Sequence, residues 1–265
     1  MGSIATRHVR RITGKDFEIV YLKKLWTHRS GDHFVPDSPK FDYGYDDFHR
    51  WKDQIEQYIS ETNEYWLRHY RPKEGDVIID VGAGRAEDTL TFSRGVGKTG
   101  RVIAIEAHPL SFAILNNFCR LNRLDNVTAL HVALMDKPGA AYVVESQSWV
   151  ENSIALNSGS GGKPVRAATF DDICEERGLK KIAFLKMNIE GAERYAIRGM
   201  TKCIRNISYI CVACHDFRHE NGDGDQFCTR ALVERFLIGH GFTLTSRPND
   251  PRPYVRDHVF GIREN

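Results

Sequence analysis

A short apolar run that breaks into a glycine-rich turn constrains this chain more than any other feature. Residues 77–81 are Val-Ile-Ile-Asp-Val, and they lead directly into Gly82-Ala83-Gly84. Such a run is typical of a buried parallel strand, and the two glycines allow a tight turn in which a ligand lies against bare backbone amides. A second apolar run, residues 102–105, ends at Glu106, an acid placed to accept hydrogen bonds from a ribose diol. The pattern predicts a site for a nucleoside-bearing cofactor.

The residue after the turn separates the candidate cofactors. A dinucleotide-binding turn has a third glycine where this chain has Glu87, and an acid at the start of the next helix is poorly suited to hold a pyrophosphate. S-adenosylmethionine has no phosphate and carries two positive groups, so the carboxylates of Asp80, Glu87 and Asp88 suit it. An ordinary acidic first turn of a helix is the alternative interpretation of Glu87 and Asp88.

The length and charge indicate one α/β domain with an added segment. A chain of 265 residues is too short for two full domains of average size. Its 37 Lys and Arg nearly balance its 35 Asp and Glu, so we expect no nucleic-acid partner. The sequence has no apolar stretch as long as a membrane span and no apolar core of a secretory signal, so we expect a cytoplasmic protein without a membrane partner.

The cysteines do not suggest a disulfide framework. There are six in the chain, a number that is low for a small disulfide-rich scaffold. Cys211 and Cys214 form a C-x-x-C pattern, which invites a zinc or redox interpretation. They fall in the strand-like segment 207–214, where residues three apart point to opposite faces. We expect buried small hydrophobic side chains rather than metal ligands.

Residues 1–75 lack a glycine-rich loop and are rich in aromatic residues. Aromatic and aliphatic side chains between Asp46 and Tyr70 recur at spacings typical of an amphipathic helix. We expect an N-terminal helical extension that packs on the core as a cap, with a lid over a pocket as the alternative. The residues that carry the helical pattern are Phe48, Trp51, Ile55, Ile59 and Trp66.

Residues 76–265 alternate strand-like and helix-like segments, which predicts a mostly parallel sheet with helices on both faces. The last two strands are close enough in sequence to pair antiparallel. The ligand of such a sheet lies outside the carboxyl ends of the strands, where the strand order reverses. The expected strands are 77–81, 101–106, 126–132, 182–187, 207–214, 241–245 and 258–262.

Three stretches between residues 77 and 199 resemble the FkbM-type S-adenosylmethionine-dependent methyltransferases. Residues 80–84 are similar to the cofactor loop of that family, and residues 104–109 to its acid-plus-proline element. The most specific stretch combines residues 169–173, residues 185–193 and Gly199. The resemblance implies an α/β fold with a Rossmann-like seven-stranded methyltransferase sheet, mostly parallel with the last strand antiparallel, over residues 76–265. It also implies S-adenosylmethionine as the cofactor.

Two positions depart from the family pattern. Asn188 stands where the family typically has an aspartate, and Ala213 where members often end a strand with an acid. Asn188 keeps an oxygen acceptor without the charge, so a role as a strong base is not expected. These departures keep open a cofactor-binding regulatory or inactive methyltransferase-like protein. A dinucleotide-dependent oxidoreductase is the remaining alternative, and only the glycine turn and Glu106 support it.

Family members usually methylate a hydroxyl oxygen, so the resemblance implies a small-molecule acceptor such as a sugar or a natural product. Aligning acceptor oxygen, methyl carbon and sulfur contributes up to ~7–11 kcal/mol, more than the ~10²- to 10⁴-fold gain from a general base. A homo-oligomer is a further possibility. The expected cofactor-binding residues are Asp80, Gly82, Ala83, Gly84, Glu87, Glu106, Ala107 and Ala133, and the expected catalytic residues are Lys186, Asn188, Glu190, His215 and Asp216.

His215 is the candidate general base, because a histidine titrates near neutrality and this one follows a predicted strand. A histidine that only ends the strand is the alternative. Glu190 has two further interpretations. It could join Asp216 in holding a magnesium ion, which we do not favour, or it could pair with Lys186 to shape the pocket.

Overall fold

The architecture is that of a computed structural model, which describes residues 6–7, 10–11, 18–40, 51, 53–144, 153–155 and 162–263. The strands are β1 (Glu18–Leu22), β2 (Leu25–Ser30), β3 (His33–Pro36), β4 (Val77–Val81), β5 (Arg101–Glu106), β6 (Val127–His131), β7 (Ala133–Leu134), β8 (Gly139–Val144), β9 (Ser153–Ala155), β10 (Lys163–Ala168), β11 (Ile182–Met187), β12 (Ile207–Ala213), β13 (Thr243–Ser246) and β14 (His258–Ile262). The α-helices are α1 (Gln54–Tyr65), α2 (Thr89–Val96), α3 (Pro109–Leu121), α4 (Phe170–Arg177), α5 (Glu193–Ala196), α6 (Asp216–Glu220), α7 (Arg230–Gly239) and α8 (Pro253–Arg256).

The central layer is a seven-stranded sheet in the order β13-β14-β12-β11-β4-β5-β6. Strands β12, β11, β4, β5 and β6 run parallel, and β14 is antiparallel to both of its neighbours. The central strands are buried along nearly their whole length, as expected where both faces of a parallel sheet are covered. The predicted Rossmann-like, mostly parallel sheet with an antiparallel last strand is confirmed.

The strand order reverses between β4 and β11. The chain continues from β4 to β5 and β6 on one side, and from β11 to β12 on the other. Parallel strands end at the same edge of a sheet, and the crevice at such a reversal is where α/β proteins bind ligands. The residues that follow Val81 and Met187 therefore meet at the expected ligand site.

The segment between β6 and β11 contains a second sheet. Its four strands are ordered β7-β10-β8-β9, and its buried side chains include Ala133, Ala141 and Val165. Strand β7 has two residues, which is too short to show a periodic pattern. This sheet places Ala133 beside the end of β5.

The N-terminal extension is helical only in part, which corrects the prediction. Strands β1, β2 and β3 form an antiparallel sheet, joined at the first hairpin by Lys23 and Lys24 with φ of 51° and 68°. Positive φ at two successive residues is the geometry of a two-residue hairpin turn. Lysines are not typical of such turns, so the sequence does not predict one here. Helix α1 confirms the helical pattern over Gln54–Tyr65, while Phe48 lies outside the described residues.

The extension packs on the outer side of the glycine turn. Val35 of β3 and Ile55 of α1 share one buried cluster with Ala83, Ala86 and Leu90. No described residue from 18 to 75 lines the cavity beyond the turn. This contact is the packing expected of a cap and supports the turn from behind.

Cys211 and Cys214 lie on opposite sides of the sheet, as predicted. Cys211 packs in the cluster that contains Phe184 and Phe260, whereas Cys214 belongs to the cluster that contains Val233. Both thiols are free and buried, and burial raises their pKa well above the usual value. Neither thiol is placed to share a ligand with the other.

Candidate cofactor and acceptor site

The glycine turn crosses the point where β4 and β11 end. The Gly82 and Ala83 amides donate to the Ile105 carbonyl oxygen at 2.9 and 3.1 Å. Gly82 has a φ of +73°, and a Cβ there would lie 1.8 Å from the Asn188 carbonyl oxygen. A side chain at this position is excluded both by the left-handed backbone and by the neighbouring strand.

A cavity of about 260 Å³ opens at this edge of the sheet. Seven of the expected cofactor-binding residues line it, whereas Asp80 does not. Of the expected catalytic residues, Lys186, Asn188 and Glu190 line it, whereas His215 and Asp216 do not. Its lining also includes Asp88, Ile105, His108, Ser111, Val132, Leu134, Val143 and Ile189.

Glu106 connects the glycine turn to the end of β5. Its two carboxylate oxygens accept hydrogen bonds from the Gly84 amide at 2.8 Å and the His108 amide at 2.7 Å. Burial raises the pKa of Glu106 to about 7, although these two bonds favour the charged form. The carboxylate form of this group is suited to accept hydrogen bonds from hydroxyl donors.

Glu87 is the second carboxyl group of the cavity wall. It accepts a hydrogen bond from the Arg85 amide at 2.7 Å, and burial raises its pKa to about 7. Helix α2 begins after it, at Thr89. The residue that replaces the third glycine therefore presents an acid to the cavity.

Lys186 forms a buried ion pair with Asp80, not with Glu190, which corrects one interpretation. The Lys186 side chain is 2% exposed, and its Nζ lies 3.0 Å from Asp80 Oδ1 and 3.3 Å from Asp88 Oδ2. Burial alone would lower the pKa of Lys186, but the two carboxylates raise it above the usual value. Lys186 is therefore a permanent cation.

The ion pair of Lys186 and Asp80 also supports the glycine turn. Lys186 Nζ also donates to the Gly82 carbonyl oxygen at 2.8 Å. Thr89 Oγ1 donates to the second oxygen of Asp80 at 2.7 Å, and Thr62 Oγ1 of α1 donates to Asp88 Oδ1 at 2.8 Å. Asp80 thus supports the site from beneath and has no free oxygen for a ligand.

Glu190 pairs with His215 and Arg218. His215 Nε2 lies 3.0 Å from Glu190 Oε1, and Arg218 Nη1 donates to Glu190 Oε2 at 2.9 Å. Burial raises the pKa of Glu190, but the two cations lower it by more, so the net shift is downward. Glu190 is therefore an ionised carboxylate in the cavity lining.

The surroundings of His215 bear on the prediction that it is the general base. Its second ring nitrogen, Nδ1, lies 3.5 Å from Glu193 Oε1. Burial would lower the pKa of His215, yet the carboxylates of Glu190 and Glu193 raise it to about 10. A protonated ring has no lone pair to accept a proton at neutral pH. His215 also lies outside the cavity lining.

Asp216 has a structural role. One carboxylate oxygen accepts hydrogen bonds from the Thr229 and Arg230 amides at 3.1 and 2.9 Å, at the start of α7. This oxygen of Asp216 is therefore engaged at the start of α7, while its role with Glu190 in holding magnesium stays a prediction. Within the part of the chain that the structure describes, no group of three or more His, Cys, Asp and Glu side chains is placed to hold a metal ion.

Asn188 lines the cavity and also has a buried side-chain oxygen without a partner in the described part of the chain. Its amide donates to the Val81 carbonyl oxygen at 3.0 Å, which holds the residue at the strand reversal. Its buried Oδ1 has no hydrogen-bond partner among the described residues. Such an atom is costly unless a ligand or water pairs with it. This atom and the glycine turn lie side by side at the reversal of the strand order.

Arg218 and Glu193 were missed as parts of the site. Arg218 follows β12 by a short distance in sequence, and nothing in its neighbourhood predicts that it reaches Glu190. Glu193 is fully buried and accepts a hydrogen bond from the Ile189 amide at 3.2 Å. Only its place within the stretch 185–193, which resembles the family pattern, could have drawn attention to it.

The doubly wound sheet, the glycine turn and the acid after β5 define the class of Rossmann-like α/β proteins with a ligand site at the strand reversal. The family described as the methyltransferase FkbM domain matches residues 80–242. The chain belongs to this family of S-adenosylmethionine-dependent methyltransferases. The predicted family and its cofactor are confirmed.

Solved structures support the fold. The chain is similar to a crystal structure of methyltransferase FkbM from Methylobacillus flagellatus KT, with a TM-score of 0.52 and 18% identity over 81% of this chain and 52% of that one. It therefore spans about half the length of that protein. It is also similar to cofactor-bound Rv0187 from MTB, with a TM-score of 0.50 and 13% identity over 79% and 81% of the two chains. No curated protein matches the chain.

The helices carry no sign of a membrane span. Within the described ranges, none of them is both long enough and apolar enough to cross a bilayer. The longest, α3, has 13 residues, compared with the roughly 20 that a span requires.

Proposed function

We propose that this protein transfers a methyl group from S-adenosylmethionine to a hydroxyl oxygen of a small-molecule acceptor such as a sugar or a natural product. One observation carries the proposal: a single cavity extends from the glycine turn and Glu106 to Asn188 and Glu190. Its lining therefore combines a wall suited to a nucleoside with polar groups suited to an acceptor. The bound cofactor would supply an electrophilic methyl group.

The wall nearest the glycine turn would hold the cofactor. Glu106 would accept hydrogen bonds from the ribose hydroxyls, in addition to those from Gly84 and His108. The carboxyl group of Glu87 lines the same cavity and would suit the positively charged end. Asp88 also lines the cavity, but Lys186 and Thr62 engage its oxygens. Asp80 would act only through the turn, because Lys186 and Thr89 occupy its oxygens.

Glu190 would orient the acceptor. Its carboxylate is ionised and held from two sides, so it can accept a hydrogen bond from a hydroxyl group. An oxygen that has gained a methyl group loses its proton readily, so a carboxylate of low pKa suffices to receive it. Alignment would supply most of the rate enhancement, up to ~7–11 kcal/mol.

Two observations favour a protein that binds the cofactor without turnover. Asn188 lacks the charge typical of the family, and β12 ends at the buried apolar Ala213. Asn188 still has an oxygen acceptor without a partner among the described residues, so loss of the charge does not by itself remove the acceptor site. A measurement of methyl transfer distinguishes an active methyltransferase from a protein that only binds the cofactor.

Two measurements test the proposal. Calorimetry should show binding of S-adenosylhomocysteine and no response to NAD; the reverse would exclude a methyltransferase site. A screen of hydroxylated acceptors with methyl-labelled S-adenosylmethionine should then yield labelled product. Glu190→Gln should lower that yield at least about tenfold, while Glu175→Gln on the exposed face of α4 should not change it. Cofactor binding without label in any acceptor would favour the regulatory alternative.

A further inference from the structure

Glu190 is held in an unusual backbone conformation. Its φ is +53°, in the left-handed region that few side chains other than glycine adopt, and Gly191 follows with +92°. A Cβ at Gly191 would lie 2.8 Å from the Gln226 carbonyl oxygen. The loop after β11 is thus pressed against the segment after α6, which fixes the direction of the Glu190 side chain. Such conformations persist only where the surroundings enforce them.

Two cations complete the arrangement. His215, at the end of β12, is 5% exposed and touches Glu190 through Nε2. Arg218 touches the other oxygen and is itself held, because its guanidinium stacks 3.9 Å from the Phe227 ring centroid and pairs with Asp223 at 2.9 Å. Each Glu190 oxygen therefore has one charged partner that comes from outside the cavity lining.

We propose, on the basis of the methyl transfer proposed above, that His215 is a positioning residue: a buried cation that, with Arg218, fixes the Glu190 carboxylate at the acceptor end of the cavity. His215 touches neither cofactor nor acceptor in this role. It acts by keeping Glu190 ionised and in one orientation, which is the condition for aligning an acceptor hydroxyl. The imidazolium donates one N–H to Glu190 and directs the other toward Glu193.

The charged groups around His215 favour its protonated form. Glu190 and Glu193 face it and raise its pKa to about 10. On β14, His258 is neutral, because burial lowers its pKa to about 3. The carboxylates of Asp216 and Asp257 are engaged with backbone amides of neighbouring segments.

The pH profile of kcat at saturating cofactor tests the proposal. In the intact protein, kcat should be flat from about pH 6 to 9, since Glu190 titrates below and His215 above this range. His215→Gln keeps hydrogen-bonding groups and removes the charge. It should lower kcat about 10- to 100-fold, leave KM for the cofactor within about twofold, and move the acid limb upward by about one pH unit or more. An acid limb near neutrality that disappears in His215→Gln would instead identify a general base.

A second variant tests the proposal even if His215→Gln does not fold. Arg218→Gln removes the other cation at a partly exposed position and should move the acid limb in the same direction. His240→Gln, at the far end of α7, is the matched control and should keep the profile unchanged. If both His215→Gln and Arg218→Gln fold and keep the kcat profile, the proposal is wrong.

An NMR titration separates this proposal from the function on which it rests. The His215 ring signal, assigned by its loss in His215→Gln, should titrate above about pH 9 in the intact protein and at lower pH in Glu190→Gln. Titration near the ordinary value of 6.5 would overturn the proposal even in an active enzyme. A protein that methylates no acceptor but shows the high titration would refute only the methyl transfer.

Discussion

Gly82, at the end of β4, lies so close to Asn188, at the end of β11, that a Cβ at Gly82 would come within 1.8 Å of the Asn188 carbonyl oxygen. The two residues are 106 positions apart in sequence and meet because β4 and β11 are parallel neighbours. The glycine turn and the acceptor end of the cavity therefore share one backbone contact. Changes on either side should affect both.

Gly82→Ala should remove cofactor binding and destabilise the fold. A left-handed backbone costs an alanine roughly 1–2 kcal/mol, and overlap with Asn188 adds to this. Calorimetry with S-adenosylhomocysteine and chemical denaturation measure the two effects. Gly239→Ala is the control, because a Cβ there meets nothing within 4 Å; it should leave the free energy of unfolding unchanged or raise it by about 0.5–1 kcal/mol. Equal behaviour of the two variants would contradict the contact.

Lys186→Met should lower the free energy of unfolding by about 3–5 kcal/mol, because it leaves Asp80 and Asp88 buried without their cation. It should also weaken cofactor binding, since Lys186 holds the Gly82 carbonyl group. Lys181→Met, at an exposed position just before β11, should change stability by less than about 0.5 kcal/mol. Urea denaturation of both variants gives the comparison. A small loss for Lys186→Met would show that the ion pair is not needed.

Glu106→Ala should weaken binding of S-adenosylhomocysteine by about 1–3 kcal/mol, because it leaves the ribose hydroxyls and the Gly84 amide without an acceptor. Glu175→Ala on α4 is the surface control and should bind normally. Titration calorimetry at one pH measures both. Unchanged affinity in Glu106→Ala would place the ribose elsewhere.

Cofactor affinity should fall as the pH drops from about 8 to 6. Burial raises the pKa values of Glu87 and Glu106 to about 7. Ionised Glu87 would attract the positively charged end of the cofactor, and ionised Glu106 would accept hydrogen bonds from its ribose hydroxyls. Acidification protonates both groups and removes this attraction. Glu87→Gln and Glu106→Gln should each flatten the dependence in part. An affinity that does not vary over this range would show that neither carboxyl group titrates against the cofactor.

The charge of His215 should also make the free energy of unfolding depend on pH. Its pKa is raised from 6.5 to about 10 in the folded protein, so folding favours the protonated form. The stabilisation is fully present below pH 6.5 and is lost as the pH rises to about 10. The difference in free energy of unfolding between the intact protein and His215→Gln should therefore shrink over this window. A constant or growing difference would mean that His215 is folded as a neutral ring.

Much of the sheet and one wall of the site are predictable from the sequence. Apolar runs that end in glycine or acid indicate buried strands and their tips, as for β4 with Gly82 and β5 with Glu106. These signals are local, since each depends on a few consecutive residues. The N-terminal hairpin escaped prediction because its turn is formed by Lys23 and Lys24, residues without a turn preference.

The sequence by itself determined the class of fold, the edge of the sheet where a ligand is expected and the acid that would meet a ribose. The tertiary structure alone decided the chemical state of the polar residues gathered there. Lys186 pairs with Asp80 and Asp88, His215 lies between Glu190 and Glu193, and Asp216 is used at the start of α7. Side-chain charge depends on burial and on partners a few ångströms away in space. Those partners come from different strands, so the order of residues along the chain does not reveal them.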